Sequence, residues 1–534
     1  HLDEKDFYSL QETCKHFEHI INDEELWKNL FVSRIHTNLF PSFSRSNKYS
    51  IEYVERNKGL NQWRHNRAIK TKYTITTQNM ENQLEKVVFD YPRCACYNEG
   101  VITLVQLHSR RRKDRLTYIP CTTPQGCSTM HFNINAAVFG RYDGRVFGKL
   151  LTNKSYLYPV TEFDSMHRGC VTAITTAALE DSSKDWCVSG CETGQVIWWC
   201  ETKRKQLIQL SNSPILHLSL YKDLTVAMDA SKIYLVEKME QVFTLDIPQE
   251  FKQYPNQIQF FKVDFGAKLL VLGDVSQIQV ISINIHKDFG HTRSIDFPEM
   301  IQEVFIDETT TRREQDSSIA GDDGCYLGVL TRDNSVMTIN IRTPGSELHL
   351  QTKLTFQDQV FTCQVNNLVL VCAFSGTLGV FDASNGTELR VVQKMEKYPQ
   401  FLNISNGHMI LGSGNVLHYL QYASDDTASK KSGGTQRNRS NKWNETLNSQ
   451  LYMYDEDEKL RREKEEQSEK LRKKFVGDLD DEEIQLQIAL MESEAAANAM
   501  SSASVASPST VDDELLLAIE ESKRANAQTA AFSS

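Results

Sequence analysis

Apolar residues recur at helical spacing from Leu2 to Ile35, at Phe7, Leu10, Cys14 and Phe17 and again at Ile20, Ile21, Leu26, Trp27, Leu30 and Phe31. The spacing predicts two or three short amphipathic helices, with Asp6 and Asp23 placed to cap their N-termini by accepting from free backbone N–H groups. A module this short buries little by itself, so it is expected to pack on a partner or on the next part of the chain. Helical signals continue around Ile51 to Arg56 and Leu60 to Ile69, giving an expected helical connector over residues 37–84. From about Tyr91 to Tyr422 the pattern changes to period-two alternation broken by tight turns, as in antiparallel strands. Eight hairpin cores recur, among them WCVSGCETGQVIWW and LVLVCAFSGTLGVFD. Their turn residues are Gly100, Gly144, Gly194, Ser231, Ser276, Asn334, Gly376 and Gly414, spaced by 44, 50, 37, 45, 58, 42 and 38.

After Tyr422 the apolar pattern stops. Residues 423–450, rich in Ser, Asn, Gly and Lys, are expected to be a disordered linker. Residues 451–477 alternate Glu with Lys and Arg at three- and four-residue spacing, which predicts a solvated charged helix.

Two later segments, 478–495 and 511–526, joined by a linker over 496–510, share one plan. An acidic run ending in Glu482 and Glu483 precedes Leu486, Ala489, Leu490 and Ser493; Asp513 and Glu514 precede Leu515, Ala518, Ile519 and Ser522. Each set falls at i, i+3, i+4 and i+7, one narrow helix face with a small residue at its centre. Such a face suits a helix-in-groove ligand, the Ala allowing close approach and the acidic first turn favouring the helix dipole.

The chain has 534 residues, 40% hydrophobic and 24% charged, enough for one large core and smaller modules. A net charge of -11 argues against general nucleic-acid binding, and the dense basic run Arg110, Arg111, Arg112 and Lys113 is expected to be a solvated hairpin loop. No stretch approaches the ~20 apolar residues of a membrane span, which predicts a nuclear and cytoplasmic protein without membrane contact. The looser group Lys430, Lys431, Arg437, Arg439 and Lys442 is a weak import-signal candidate. The 12 Cys lack zinc-like spacing and are expected to be reduced thiols; no metal and no cofactor are expected.

The histidines, among them His108, His131, His167, His217 and His286, accompany no nucleophile elbow, P-loop or HExxH, so no catalytic residues are assigned. His167 is expected to hold its strands together by hydrogen bonds. The largest polar insertion, Asp307 to Gly324, is expected to be a mobile excursion with Arg312 and Arg313 solvated.

The N-terminal stretch LDEKDFYSLQETCKHFEHIINDEELWKNLF resembles the later part of an F-box, over residues 1–36. Leu2 and Asp3, Asp6 and Phe7, Cys14 with Lys15 and Phe17, and Asp23 with Leu26 and Trp27 match its pattern. The opening Leu-Pro helix of that pattern is absent, so a preceding natural segment is expected. The resemblance implies docking on a Skp adaptor, and through it a cullin, by Leu2, Phe7, Leu10, Cys14, Lys15, Phe17, Leu26 and Trp27. Trp63 and Arg64 resemble the Trp-Arg pair preceding the first blade in F-box proteins with WD repeats.

The turn spacing brackets the period of about 40–45 residues of a four-stranded WD-type blade. His167, Gly169, Val171, Val188, Ser189, Gly190, Gly194 and Trp198 resemble the Gly-His to Trp-Asp signature, with Trp199 and Cys200 where the Asp would stand; Phe381 and Asp382 approximate its ending. The expected fold is multidomain: an F-box remnant and helical connector, an all-β WD-type propeller of seven or eight blades over 85–422, and a disordered tail with short helices. The two tail segments resemble ubiquitin-interacting motifs, although Ala496 and Ala525 replace the usual acidic residue after the Ser.

Together the modules are similar to a fungal F-box, WD-repeat and ubiquitin-interacting-motif protein. The resemblance implies a non-catalytic, substrate-recognising subunit of a Skp–cullin–F-box ubiquitin ligase. Its propeller would hold substrates, phosphorylated ones included, for ubiquitination and degradation, and its tail would hold ubiquitin. The rival expectation is a ubiquitin-reading trafficking or shuttle adaptor without a ligase role. Which propeller residues touch substrate is not read from the sequence.

Overall fold

Each of the eight turn residues lies between the second and third strands of a four-stranded antiparallel sheet. Six of them, Gly100, Gly144, Gly194, Asn334, Gly376 and Gly414, have positive φ, which the tight turn requires. At the other two an Asp does the work. Asp229 Oδ1 accepts from the backbone N of Ser231 and Lys232 at 2.7 Å each, and Asp274 Oδ1 accepts in the same way from Ser276 and Gln277.

The computed structural model describes residues 4–422 apart from 77–82, 92, 108–115, 152–158, 179–183, 253–257, 394–398 and 406. The basic run at 110–113, the linker, the charged segment and both tail motifs lie outside the described residues.

The eight sheets are the blades of a propeller, the upper of the two expected counts. Seven are continuous in sequence, at 86–120, 127–166, 171–209, 217–246, 260–296, 301–355 and 360–393. The eighth combines Phe401–Ser405, His408–Ser413 and Val416–Gln421 with Ile69–Thr74, in register from Ile69 opposite Gln421 to Thr74 opposite Val416. The propeller therefore begins at Ile69, inside the segment expected to be helical connector through residue 84. Ile69, Thr71 and Tyr73 alternate with Lys70 and Lys72 in a β pattern too short to stand out beside the preceding helix.

The second and third strands of a blade are mostly buried because neighbouring blades cover both faces; Gln195–Cys200 and Ser335–Asn340 are buried throughout. Outer strands such as Lys203–Gln209 face solvent and alternate. The core is a ring of apolar clusters between adjacent blades, such as Val226, Leu235, Leu270 and Leu272. Each such side chain contributes about 1.5–3 kcal/mol of transfer free energy.

His167 does hold its blade. Its Nε2 lies 2.7 Å from Ser189 Oγ, which accepts from Trp199 Nε1 at 2.8 Å. The signature tryptophan is thus Trp199, one residue beyond the expected Trp198. Successive residues of a strand face opposite sides: Trp199 points toward Phe163 of the preceding blade, while Trp198 donates to Thr225 Oγ1 of the following one at 2.9 Å.

The insertion Asp307 to Gly324 is not an excursion. Thr310, Thr311, Ile319, Ala320 and Asp323 are buried. Arg342, fully buried, donates from Nε to Asp264 Oδ2 at 2.7 Å and from Nη2 to Oδ1 at 2.8 Å. The same guanidinium donates to the carbonyls of Asp323, Thr310 and Arg313. A polar composition that suggests solvated chain belongs here to a segment whose backbone acceptors are satisfied internally. Arg312 is exposed as expected, paired with Glu308 at 3.2 Å; Arg313 is half-buried.

Candidate functional site

Four helices precede the propeller: α1 (Glu4–Thr13), α2 (Lys15–Ile21), α3 (Glu24–Ile35) and α4 (Tyr49–His65). Asp23 caps α3, accepting from Glu25 N at 3.0 Å. Glu24 reaches across to cap α4, accepting from Tyr49 N at 2.6 Å and from Ser50 Oγ at 2.8 Å.

Of the expected adaptor-facing residues, Phe17 is 39% exposed and Cys14 and Lys15 are exposed beside it; Ile20, outside the expected set, is 37% exposed. Leu10 and Leu26 are half-buried. Leu2 and the side chain of Phe7 lie outside the described residues. Trp27 is a correction: it is 2% exposed, its Nε1 donates to the Ile21 carbonyl at 2.6 Å, and its ring packs on Tyr53 of α4 at 5.4 Å. It binds the module together and offers no surface to a partner. Phe31, stacked on Phe40 at 4.4 Å, continues that small core.

The module sits on the propeller through contacts that sequence pattern does not reveal. Glu52, fully buried, accepts from Phe43 N and Ser44 N at 2.8 Å and from the hydroxyls of Ser42 and Ser44, and pairs with Arg56 at 3.3 Å. Arg56 Nη2 then donates to the Asn367 carbonyl at 3.1 Å, and Asn367 Nδ2 to the Ser42 carbonyl at 3.0 Å. Arg34 of α3 donates to Asp382 at 3.2 Å, and Gln351 Nε2 bridges the carbonyls of Ile35 and Ser384 at 3.0 Å each. Trp63 stacks on Tyr422 at 4.6 Å, joining α4 to the end of the propeller. The i, i+4 pair Glu52 and Arg56 is a local signal; its destination at Asn367 is not.

Asn367 lies between the first and second strands of blade 7, Asp382 and Ser384 come at the end of its third strand, and the 307–324 insertion joins the first two strands of blade 6. In an up-and-down sheet these connections all emerge on one face, so the helices cover that face. The eight second-to-third-strand turns emerge on the other. There, within blade 2 and the loop leaving it, Tyr142 and Met166 are 67% and 58% exposed beside exposed Arg145 and Arg168. Tyr, Met and Arg are the residue types enriched in protein interfaces. Among the described residues no group of three His, Cys, Asp or Glu is placed to hold a metal ion.

A family model described as F-box-like matches residues 1–33. A curated relative, "Ubiquitin ligase complex F-box protein UFO1" of Saccharomyces cerevisiae, is 49% identical over 98% of this chain and 81% of its own length. The chain belongs to this F-box family. The F-box helices are thus α1 to α3, and α4 is the connector that carries them onto the propeller. Solved structures similar to the propeller include Saccharomyces cerevisiae Sqt1, 11% identical over 66% of this chain and 98% of that one, with a TM-score of 0.45. The computationally designed Ika8 protein is 14% identical over 66% of this chain and 100% of its own, also with a TM-score of 0.45.

Proposed function

We propose that this F-box protein recruits substrates to a Skp–cullin ubiquitin ligase, with its two ends of contact on opposite sides of the propeller. The observation that carries the reading is the placement of the F-box. Its helices cover the face of the first-to-second-strand and third-to-fourth-strand connections, and the opposite face carries, among the described residues, an exposed Tyr, Met and Arg group. An adaptor would bind at the exposed apolar residues Phe17 and Ile20, flanked by Cys14 and Lys15, with the half-buried Leu10 and Leu26 on α1 and α3. Protein substrates, phosphorylated ones included, would bind the open face.

In this reading the protein acts as a non-catalytic subunit. Ubiquitination would result from holding a substrate lysine near a charged conjugating enzyme, a gain in effective concentration. The tail segments around Ala489 and Ala518 would hold ubiquitin, and the protein would work in nucleus and cytoplasm.

Adaptor pulldown with purified components tests this. Phe17→Ser with Ile20→Ser is expected to weaken capture of Skp adaptor and cullin at least ~10-fold while leaving the melting temperature in place, since exposed apolar anchors carry interface energy and little fold stability. Trp27→Ala is expected instead to lower stability by about 3–5 kcal/mol. A chain that captures no adaptor before mutation, yet still holds ubiquitin, is a ubiquitin-reading adaptor rather than a ligase subunit.

A further inference from the structure

The blade 6 insertion is attached on both of its sides. Toward the F-box connector, Phe40 N donates to the Gly321 carbonyl at 2.9 Å and Gly324 N returns to the Phe40 carbonyl at 3.1 Å. Ala320 N donates to the Ser46 carbonyl at 3.0 Å, and Arg45 pairs with Asp323 at 3.4 Å. The fit is close: at Gly321, φ +88, a Cβ would lie 2.4 Å from the Phe40 carbonyl oxygen. Toward the propeller, Gly266 N donates to the Thr311 carbonyl at 2.8 Å, and the buried Arg342 holds three insertion carbonyls together with Asp264.

Arg34, Arg56 and Ser42 attach the helices to blade 7, and the insertion attaches the stretch between α3 and α4 to blade 6. Gln351 of blade 6 adds one bond to the Ile35 carbonyl, and Trp63 stacks on Tyr422 at the far end of α4. The insertion is the attachment that grips the 40–46 stretch between α3 and α4 by several bonds at once, and so adds most to the restraint against rocking.

We infer that the insertion 307–324 is an orientation lock for the F-box helices, fixing the distance from adaptor to open face on which ubiquitin transfer depends. This rests on the ligase reading for its consequence, though not for the lock itself. Transfer by proximity is sensitive to how long a lysine spends within reach. Releasing the lock therefore lowers transfer without weakening adaptor or substrate binding.

The test places spin labels at Ser33→Cys on α3 and Ser276→Cys on the open face of blade 5 of the full chain, with Cys14, Cys127 and Cys170 changed to Ser. Double electron–electron resonance then gives the distance distribution. The chain with the lock intact is expected to give one narrow distance. Gly321→Val is expected to widen the distribution about twofold, as for a freed hinge, while propeller melting is retained. In a reconstituted ligase, Gly321→Val in the otherwise unaltered chain should lower self-ubiquitination at propeller lysines about 10-fold with adaptor affinity unchanged.

Where Gly321→Val does not fold, Arg45→Ala supplies the same comparison, with Arg45→Lys restoring the narrow distribution. An unchanged distance distribution in a folded variant overturns the lock, whatever happens to transfer. Failure of the starting chain to bind adaptor overturns the ligase reading alone, because the distance measurement needs no ligase.

Discussion

Arg342 and Asp264 meet with both guanidinium-to-carboxylate bonds at 2.7 and 2.8 Å, and neither side chain has any exposed surface. They stand 78 positions apart, one after the third strand of blade 6 and the other at the end of the first strand of blade 5. Arg342 Nη1 and Nη2 also donate to three carbonyls of the insertion, so one cation organises two blades and the segment between them and the F-box.

Removing either member strands a buried charge. Arg342→Met is expected to destabilise the propeller by about 3–5 kcal/mol, and Asp264→Leu by a similar amount, while the double variant recovers a large part of the loss. Urea denaturation of the four proteins measures the coupling; additive losses would show the two residues to be independent.

Burial pushes the pKa of His167 from its ordinary 6.5 down to about 4. Trp199 can only donate, so Ser189 accepts from it and its own hydrogen faces an unprotonated His167 Nε2. The unfolded chain takes up a proton near pH 6.5 that the folded chain resists until about pH 4. Stability therefore falls as pH drops through that window, by about 3 kcal/mol at its lower end for this residue. Melting curves between pH 7 and 4 report the slope. In His167→Gln the slope should flatten although the overall stability is lower; an unchanged slope would assign it to other groups.

For the tail, Ala489→Gln with Ala518→Gln keeps helix propensity and blocks close approach. Each single change is expected to weaken ubiquitin binding several-fold, and the double change more than either, because two weak sites gain by multivalency. Titration with labelled ubiquitin decides; full binding by the double variant would remove the ubiquitin-interacting assignment.

What can be read from the sequence is local. The eight turns announce themselves because a Gly, Asn or Asp-x-Ser turn is set by two or three adjacent residues. The F-box helices announce themselves through periodicity. Periodicity shows which face of a helix is apolar, however, and not what covers it: Phe17 and Trp27 carry the same signal, and only packing against Tyr53 makes one internal. The docking residues are beyond reach for another reason. Arg34 and Asp382 are 348 positions apart, and nothing near either names the other. The insertion misleads because its polar residues are those that satisfy one another when buried; Asp307 accepts from Thr309 N and Thr310 Oγ1, and Arg342 covers the carbonyls.

The pairing of Ile69–Thr74 with Val416–Gln421 also sets an order of events during synthesis. The ring stays open until residue 421 has left the ribosome, and the partners of Arg34, Arg56 and Phe40 arrive only with blades 6 and 7. The F-box helices, made before the blades, have nowhere to dock for most of that time, and the closing contact is among the most distant in the chain. A prematurely terminated product would thus carry F-box helices with no fixed propeller beneath them. The contacts that fix the F-box helices to blades 6 and 7 can form only after nearly the whole propeller has been made.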